Sequence, residues 1–227
     1  MTPAATGADS DHGQERPERL PAGARVVVKV GSSSLTRADG GLDLNRIDIL
    51  AGLIAGMRSR GHDVVLVSSG AVASGLVPLG LSRRPDELSL LQAAASVGQG
   101  RLAARWETAM SAYGLVTAQV LLTAHDVAIR SHYRTVRATF DSLLSLGAVP
   151  IINENDAVAT SEFSLGDNDR LAAQVAWMAG ADVLLLLSDV DGLYTANPRV
   201  DPGARHLATV AKITPEIEAM AGGTGTT

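Results

Sequence analysis

The sequence predicts an α/β fold with a mostly parallel central sheet. Three observations predict it. Apolar, β-branched runs recur along the chain: "RVVVKV" (25–30), "DVVLVSS" (63–69), "AVPIIN" (148–153) and "DVLLLLSD" (182–189), with "LVTAQVLLT" (115–123) as a fifth candidate. These runs are nearly continuous rather than alternating, which is the pattern of strands buried on both faces. Segments with helical spacing lie between them, so that strand and helix alternate throughout.

The elements follow in order. After the first run, residues 44–60 place Leu44, Ile47, Leu50, Ile54 and Met57 on one helical stripe, and Gly61 stands where a C-terminal cap belongs. The second run leads to "SSGAVASG", a turn with a helix-like start. Residues 88–113 form a long alanine-rich helical segment. Residues 131–146 repeat the pattern and stop at Gly147, and residues 169–179 repeat it again and stop at Gly180. Residues 1–20 are polar and rich in Pro, Gly and charge; they read as a disordered tail without the apolar middle of a secretory signal. Residues 21–227 read as one domain, with no internal repeat and no linker.

Composition narrows the function. The chain has 227 residues, 46% of them hydrophobic but only 3% aromatic, so its core is built from Ala, Val, Leu and Ile. A net charge of −5 and the lack of any arginine cluster argue against a nucleic-acid or membrane surface. With no cysteine there are neither disulfides nor thiolate metal sites. No apolar run approaches the roughly 20 residues that cross a bilayer. These features together read as a cytoplasmic protein. The five histidines are scattered without the i, i+4 spacing of a zinc helix, and no residue is assigned as a metal ligand.

In parallel sheets ligands bind at the carboxyl ends of the strands. The segments found there are "GSSS" (31–34), "SSGA" (68–71), "NEND" (153–156) and "SDVDG" (188–192), each small, polar or acidic. Gly31 and the serines after it can turn several backbone N–H groups toward a phosphate. Lys29, two residues earlier, can reach the same phosphate from the rim, or simply snorkel at an ordinary strand end. The chain has only two lysines, Lys29 and Lys212, against seventeen arginines. That scarcity favours a need for a compact ammonium at position 29. The spacing is neither a P-loop nor a dinucleotide fingerprint.

Ser68, Ser69 and Gly70 fit either a carboxylate or phosphate cradle or a serine-capped turn. Asn153 to Asp156 read as four polar residues following a buried strand; Asp156 suits a substrate ammonium, and the alternative is a solvated Asx-rich turn. In "GDNDRLAA" Gly166 allows a bend, and one of Asp167, Asn168 and Asp169 suffices to cap a helix, so the surplus suggests a site. Ser188, Asp189 and Asp191 stand either near a nucleotide or in a plain turn, without the glutamate that closes a calcium loop. "LSRRPDELS" (81–89) reads as a solvated loop before a helix.

Taken together, "VVVKVGSSSL", "VSSGAVASG", "QAAASVGQGRL", "QVLLTAHD", "VPIINENDAVAT", "GDNDRLAA" and "LLLLSDVDGLYTANPR" resemble the amino acid kinase family and, within it, the glutamate kinase branch. The resemblance implies a three-layer α/β/α sandwich. Because the sequence ends at "AGGTGTT", before the segment that in relatives carries a second phosphate-side lysine, it also implies a fold incomplete at its C-terminal end, without the nucleotide-side remainder or a PUA domain. The implied activity is transfer of the γ-phosphoryl group of ATP, with Mg²⁺, to the side-chain carboxylate of L-glutamate, the first step toward proline. Lys29 is then expected at the transferring phosphoryl group, and Asp169 is expected to organise that lysine. Gly31, Ser32, Ser188 and Asp189 are expected along ATP, and Ser69, Gly70, Asp156 and Asn168 around glutamate. Kinship further implies a homo-oligomer, feedback by proline and channelling to glutamyl phosphate reductase. The alternatives are a silent domain that binds glutamate or proline, and a family member acting on another carboxylate or UMP.

Overall fold

The structure is a computed structural model and describes residues 20–37, 41–159 and 168–221. The expected N-terminal tail, Gly166 and Asp167, and the closing "GGTGTT" lie outside the described residues. Two units are present. The first is Pro21–Asp189, and the second contains the described residues from Val190 on.

The first unit is built on five parallel strands: β1 (Arg25–Val30), β2 (Asp63–Ser68), β3 (Thr117–Leu122), β4 (Val149–Glu154) and β5 (Val183–Leu187). Their order across the sheet is β3-β4-β2-β1-β5, with Val30 level with Ser68 on one side and Leu187 on the other. Between the strands run α1 (Ser32–Leu35), α2 (Leu44–Ser59), α3 (Ala71–Leu76), α4 (Leu88–Ser111), α5 (Ala124–Ala128), α6 (Arg130–Ser145) and α7 (Asn168–Ala179). Side chains alternate between faces along a strand. Val27, Val65, Val67 and Ile152 therefore share one face, where they pack with Phe140 and Leu144 of α6 and Leu171, Val175 and Met178 of α7. The other face belongs to α2 and α4, and Trp106 of α4 donates its indole N–H to Ser68 Oγ at 2.9 Å. Helices on both faces of a parallel sheet give the three-layer sandwich. Among the described residues no helix is long and apolar enough to cross a membrane.

Three expectations are corrected. β5 is not buried on both faces: Leu185 and Leu186 are 37% and 49% exposed, because β5 is paired through β1 alone and lies at the end of this sheet. The buried stripe of α2 runs through Ile47, Ala51 and Ile54, while Leu44 is 50% exposed. Ala51 takes the place that the larger Leu50 was expected to fill. The "GSSS" turn is one turn of helix, α1, anchored by the fully buried Leu35. Gly61 and Gly147 do terminate their helices, with φ of +83° and +81°, a region that costs a side chain energy.

One close approach sets how the site is framed. A Cβ added at Gly75 of α3 would fall 1.9 Å from the Ala94 carbonyl of α4, and one at Gly98 of α4 would fall 1.8 Å from the Ala71 carbonyl. The two helices cross backbone to backbone, which holds the first turn of α3 against the middle of α4.

The second unit pairs β6 (Leu193–Tyr194) with β7 (His206–Leu207) antiparallel and continues to α8 (Pro215–Ala221). Tyr194 OH donates to Asp191 Oδ1 at 2.8 Å, and the Tyr194 ring meets His206 edge-on at 5.3 Å.

The crossing of α3 and α4 is tested by a matched pair. Gly98→Ala should lower Tm by roughly 5–10 °C, since backbone cannot move aside as a rotamer can. Gly100→Ala, in the same helix with nothing within 4 Å of the added carbon, should hold or raise Tm. Equal Tm values for the two variants would contradict the packing described.

Candidate active site

Arg25 and Arg58 on one side and Lys29 on the other serve opposite ends of the sheet. At the strands' amino ends, Arg25 forms ion pairs with Asp63 at 3.6 Å and Asp141 at 2.9 Å, and Arg58 pairs with Asp63 at 2.7 Å. These forked contacts tie strands to helices. At the carboxyl ends stands Lys29, one residue from the end of β1. Alternation gives it the same face as Val27, so it points toward α7, whose first turn carries Asp169. The Lys29 ammonium meets Asp169 Oδ1 at 2.5 Å. Lys29 is 7% exposed, so it is buried rather than emerging at the rim. Asp169 is half exposed. The ammonium is thus buried, while the carboxylate that pairs with it reaches solvent. A Cβ at Gly31 would sit 3.4 Å from Lys29 Nζ, so the missing side chain leaves room beside the charge.

Asn168, the neighbour of Asp169, joins this pair to the other strand ends. Its side-chain amide donates to Ser69 Oγ at 2.7 Å, Asn153 Oδ1 at 3.1 Å and the Ser68 carbonyl at 3.2 Å. Asn153 in turn donates to Gln99 Oε1 of α4 at 2.6 Å. Ser69 N–H donates to the Val30 carbonyl at 3.1 Å, closing the ends of β1 and β2 together. The turn after β4 is pinned to α4 where Gln92 donates to the Ala159 carbonyl at 2.8 Å. Gly70, at φ +105°, turns the chain into α3.

These residues enclose a cavity of about 160 Å³ lined by Ser32, Ser69, Gly70, Asn153, Glu154, Asp156, Asn168 and Arg84, with the first residues of α3. That is smaller than a drug-sized pocket of about 300 Å³ and suits a small metabolite. Its lining is mostly polar. Asp156 is pushed up to a pKa of about 6, first by burial and then by the nearby Glu154 carboxylate, with Arg84 opposing. A carboxylate raised in this way favours a cation beside it.

Of the residues singled out in the sequence, Ser32, Ser69, Gly70, Asp156 and Asn168 line this one cavity. Lys29, Gly31 and Asp169 do not line it: Gly31 and Asp169 are chain neighbours of Ser32 and Asn168, and Lys29 is paired with Asp169. Ser188 and Asp189 follow β5 as exposed residues, and Ser188 Oγ donates to Asp189 Oδ1 at 3.3 Å. They do not line the cavity but stand on the Gly31 side of it, for Leu187 O would be 4.0 Å from a Cβ there. The alternative of a solvated turn is removed for the first half of the polar run. Asn153 and Glu154 are the last residues of β4, 3% and 8% exposed, not part of a solvated turn. Arg84 is exposed, as expected, and in addition lines the cavity. Gln99 was also missed as a partner. Its signal is a polar side chain in the alanine-rich helix α4, immediately after the close crossing at Gly98.

Among the described residues no group of three or more His, Asp or Glu is arranged to hold a metal. The pairs present here suit ligand binding through ammonium, hydroxyl and amide groups.

Comparison with known proteins bears on the family and the fold. Residues 24–226 match the model of the amino acid kinase family. Curated relatives include the glutamate 5-kinase of Streptomyces coelicolor, 58% identical over 186 residues, covering 82% of this chain and 50% of that protein. The glutamate 5-kinase 1 of Rhizobium meliloti is 55% identical over 88% of this chain and 51% of its own length. The glutamate 5-kinase of Paracoccus denitrificans is 56% identical over 87% and 53%. The chain spans about half the length of the curated relatives it matches. Among solved structures, isopentenyl phosphate kinase superposes with a TM-score of 0.59 at 20% identity, over 87% of this chain and 83% of its own, which shows a shared fold. With a family match over nearly its whole length and the parallel sheet that carries it, the chain belongs to the amino acid kinase family.

Proposed function

We propose that this chain carries the acceptor site of a kinase that phosphorylates the side-chain carboxylate of L-glutamate with ATP, giving L-glutamyl 5-phosphate and ADP. The observation that carries the reading is the Lys29–Asp169 pair at 2.5 Å, linked through Asn168 to the cavity that holds Asp156. The reading also draws on relatives named glutamate 5-kinase at 55–58% identity.

The chemistry needs little from the protein beyond alignment and charge. A carboxylate is already a nucleophile. Its oxygen bonds to the γ-phosphorus while the bond from that phosphorus to the β–γ bridging oxygen breaks; ADP leaves with the electron pair, and no proton moves. The obstacle is the approach of one anion to another, which a fixed positive charge lowers. Lys29 supplies that charge, and Asp169 fixes its direction. Ser69, Gly70 and Asn168 hold glutamate, and Asp156 accepts its ammonium. Gly31 and Ser32 pass their backbone along the phosphates, with Ser188 and Asp189 at the nucleotide's edge. With no metal-holding cluster among the described residues, magnesium would enter on the phosphates of ATP and neutralise charge there.

Trapping the acyl phosphate with hydroxylamine, after mixing the chain with ATP, Mg²⁺ and L-glutamate, tests the reading directly. Hydroxamate formed with glutamate, and not with N-acetylglutamate, aspartate or UMP in the matching ADP-release assay, supports it. Glutamate binding by calorimetry without any hydroxamate would favour the silent binding domain instead.

Two predictions follow from the roles assigned. Lys29→Met, which keeps the buried volume, should lower turnover by about a hundredfold or more, on the scale of a lost oxyanion donor; near-normal kcat would refute the role. The second concerns pH. Asp156 must be ionised to hold an ammonium, and its pKa stands at about 6. Affinity for glutamate should therefore be full above pH 7 and fall as pH drops through 6, by about tenfold at pH 5. The γ-carboxylate of the ligand stays mostly ionised over that window. Asp156→Asn should weaken binding by about tenfold and flatten the profile. A profile unchanged by that substitution would remove Asp156 from the site.

A further inference from the structure

We propose that Arg84 binds the α-carboxylate of the substrate and so makes the site selective for an amino acid that carries acid groups at both ends. The inference rests on the proposed function and adds a specificity residue to it. Arg84 lies in the loop between Leu79 and α4, next to Pro85. It lines the cavity of about 160 Å³ together with Ser69, Gly70, Asp156 and Asn168. It also lines, again with Asp156, an adjoining cavity of about 90 Å³. Arg84 and Asp156 therefore border the same two spaces. Among the described residues lining the larger one, Arg84 carries the single positive charge, against the carboxylates of Glu154 and Asp156.

The charges can be assigned by what an amino diacid brings. It has three ionised groups and a net charge of −1. Its ammonium belongs on an acid, and its reacting carboxylate belongs toward Lys29. The α-carboxylate sits on the same carbon as the ammonium, so its partner must stand next to the acid that holds the ammonium. Arg84 is the cation in that place. Its field already reaches Asp156, where it opposes the upward push of burial and Glu154. An adjacent acid and base complement a zwitterionic head group, and a guanidinium offers a carboxylate two parallel N–H donors. Arg84 is exposed, so without ligand it is hydrated and costs the fold little. The chain's other guanidinium in the same loop, Arg83, does not line this cavity.

Calorimetry with two ligands tests the assignment: L-glutamate, and L-isoglutamine, whose α-carboxylate is replaced by a neutral amide. The wild-type chain should prefer glutamate by at least about tenfold, the scale of a charge-assisted contact. Arg84→Leu should lose that factor for glutamate and leave isoglutamine within about twofold, so that the preference collapses. Arg84→Lys should restore part of it, which a merely structural lesion would not allow. Unchanged glutamate affinity in Arg84→Leu, or equal loss of both ligands, would overturn the assignment while leaving the proposed function standing. No glutamate binding by the wild-type chain would instead remove the proposed function, and this inference with it.

Discussion

The site depends on one ion pair. Lys29 is placed by strand alternation in the layer between sheet and α7, where an unpaired ammonium would carry a large desolvation penalty. Asp169 at the start of α7 answers it at 2.5 Å. The pair is held from both sides by ordinary packing: Val27 from β1 and Leu171 and Val175 from α7 belong to the same buried cluster. Lys29 is 7% exposed and Asp169 about half exposed, so the pair lies at the edge of the sheet with its carboxylate partly open to solvent. That position holds a charge rigidly at the carboxyl ends of the strands.

A second layer of contacts spreads this placement to the neighbouring strand ends. Asn168 spends its amide on Ser69, Ser68 and Asn153, and Asn153 passes the connection on to Gln99 of α4. α4 in turn is fixed against α3 by the glycine crossing at Gly75 and Gly98. Polar groups at the ends of β1, β2 and β4 are thus oriented by helices from both faces of the sheet. A site built on strand ends and braced in this way needs little movement to become ordered, which suits a reaction whose demands are alignment and charge.

Much of this was legible in the sequence, and the reasons differ by element. β1, β2 and β4 announced themselves because burial on both faces forces continuous apolar runs. Lys29 stood out because one of only two lysines among seventeen arginines is a compositional signal that needs no structure to see. The failures share a cause: each depended on where an element sits among its neighbours. β5 reads like its sister strands, yet its end position exposes Leu185 and Leu186. Asn153 and Glu154 could be a turn by pattern, because four polar residues in a row usually are one; for Asn153, partners on α4 and α7 make burial tolerable at the end of β4. Arg84 could not be found by pattern, since what gives it meaning is Asp156, seventy-two positions later in the chain. Asp169 was assigned to Lys29 through family resemblance, while spacing alone offered three candidates for a helix cap.

The most direct measurement of the central claim is a crystal structure of this chain with L-glutamate bound. The account predicts the ligand in the cavity beside Asn168, its side-chain carboxylate turned toward the Lys29–Asp169 pair and its ammonium on Asp156. Glutamate bound in the reverse direction, or at a place remote from Lys29, would contradict it.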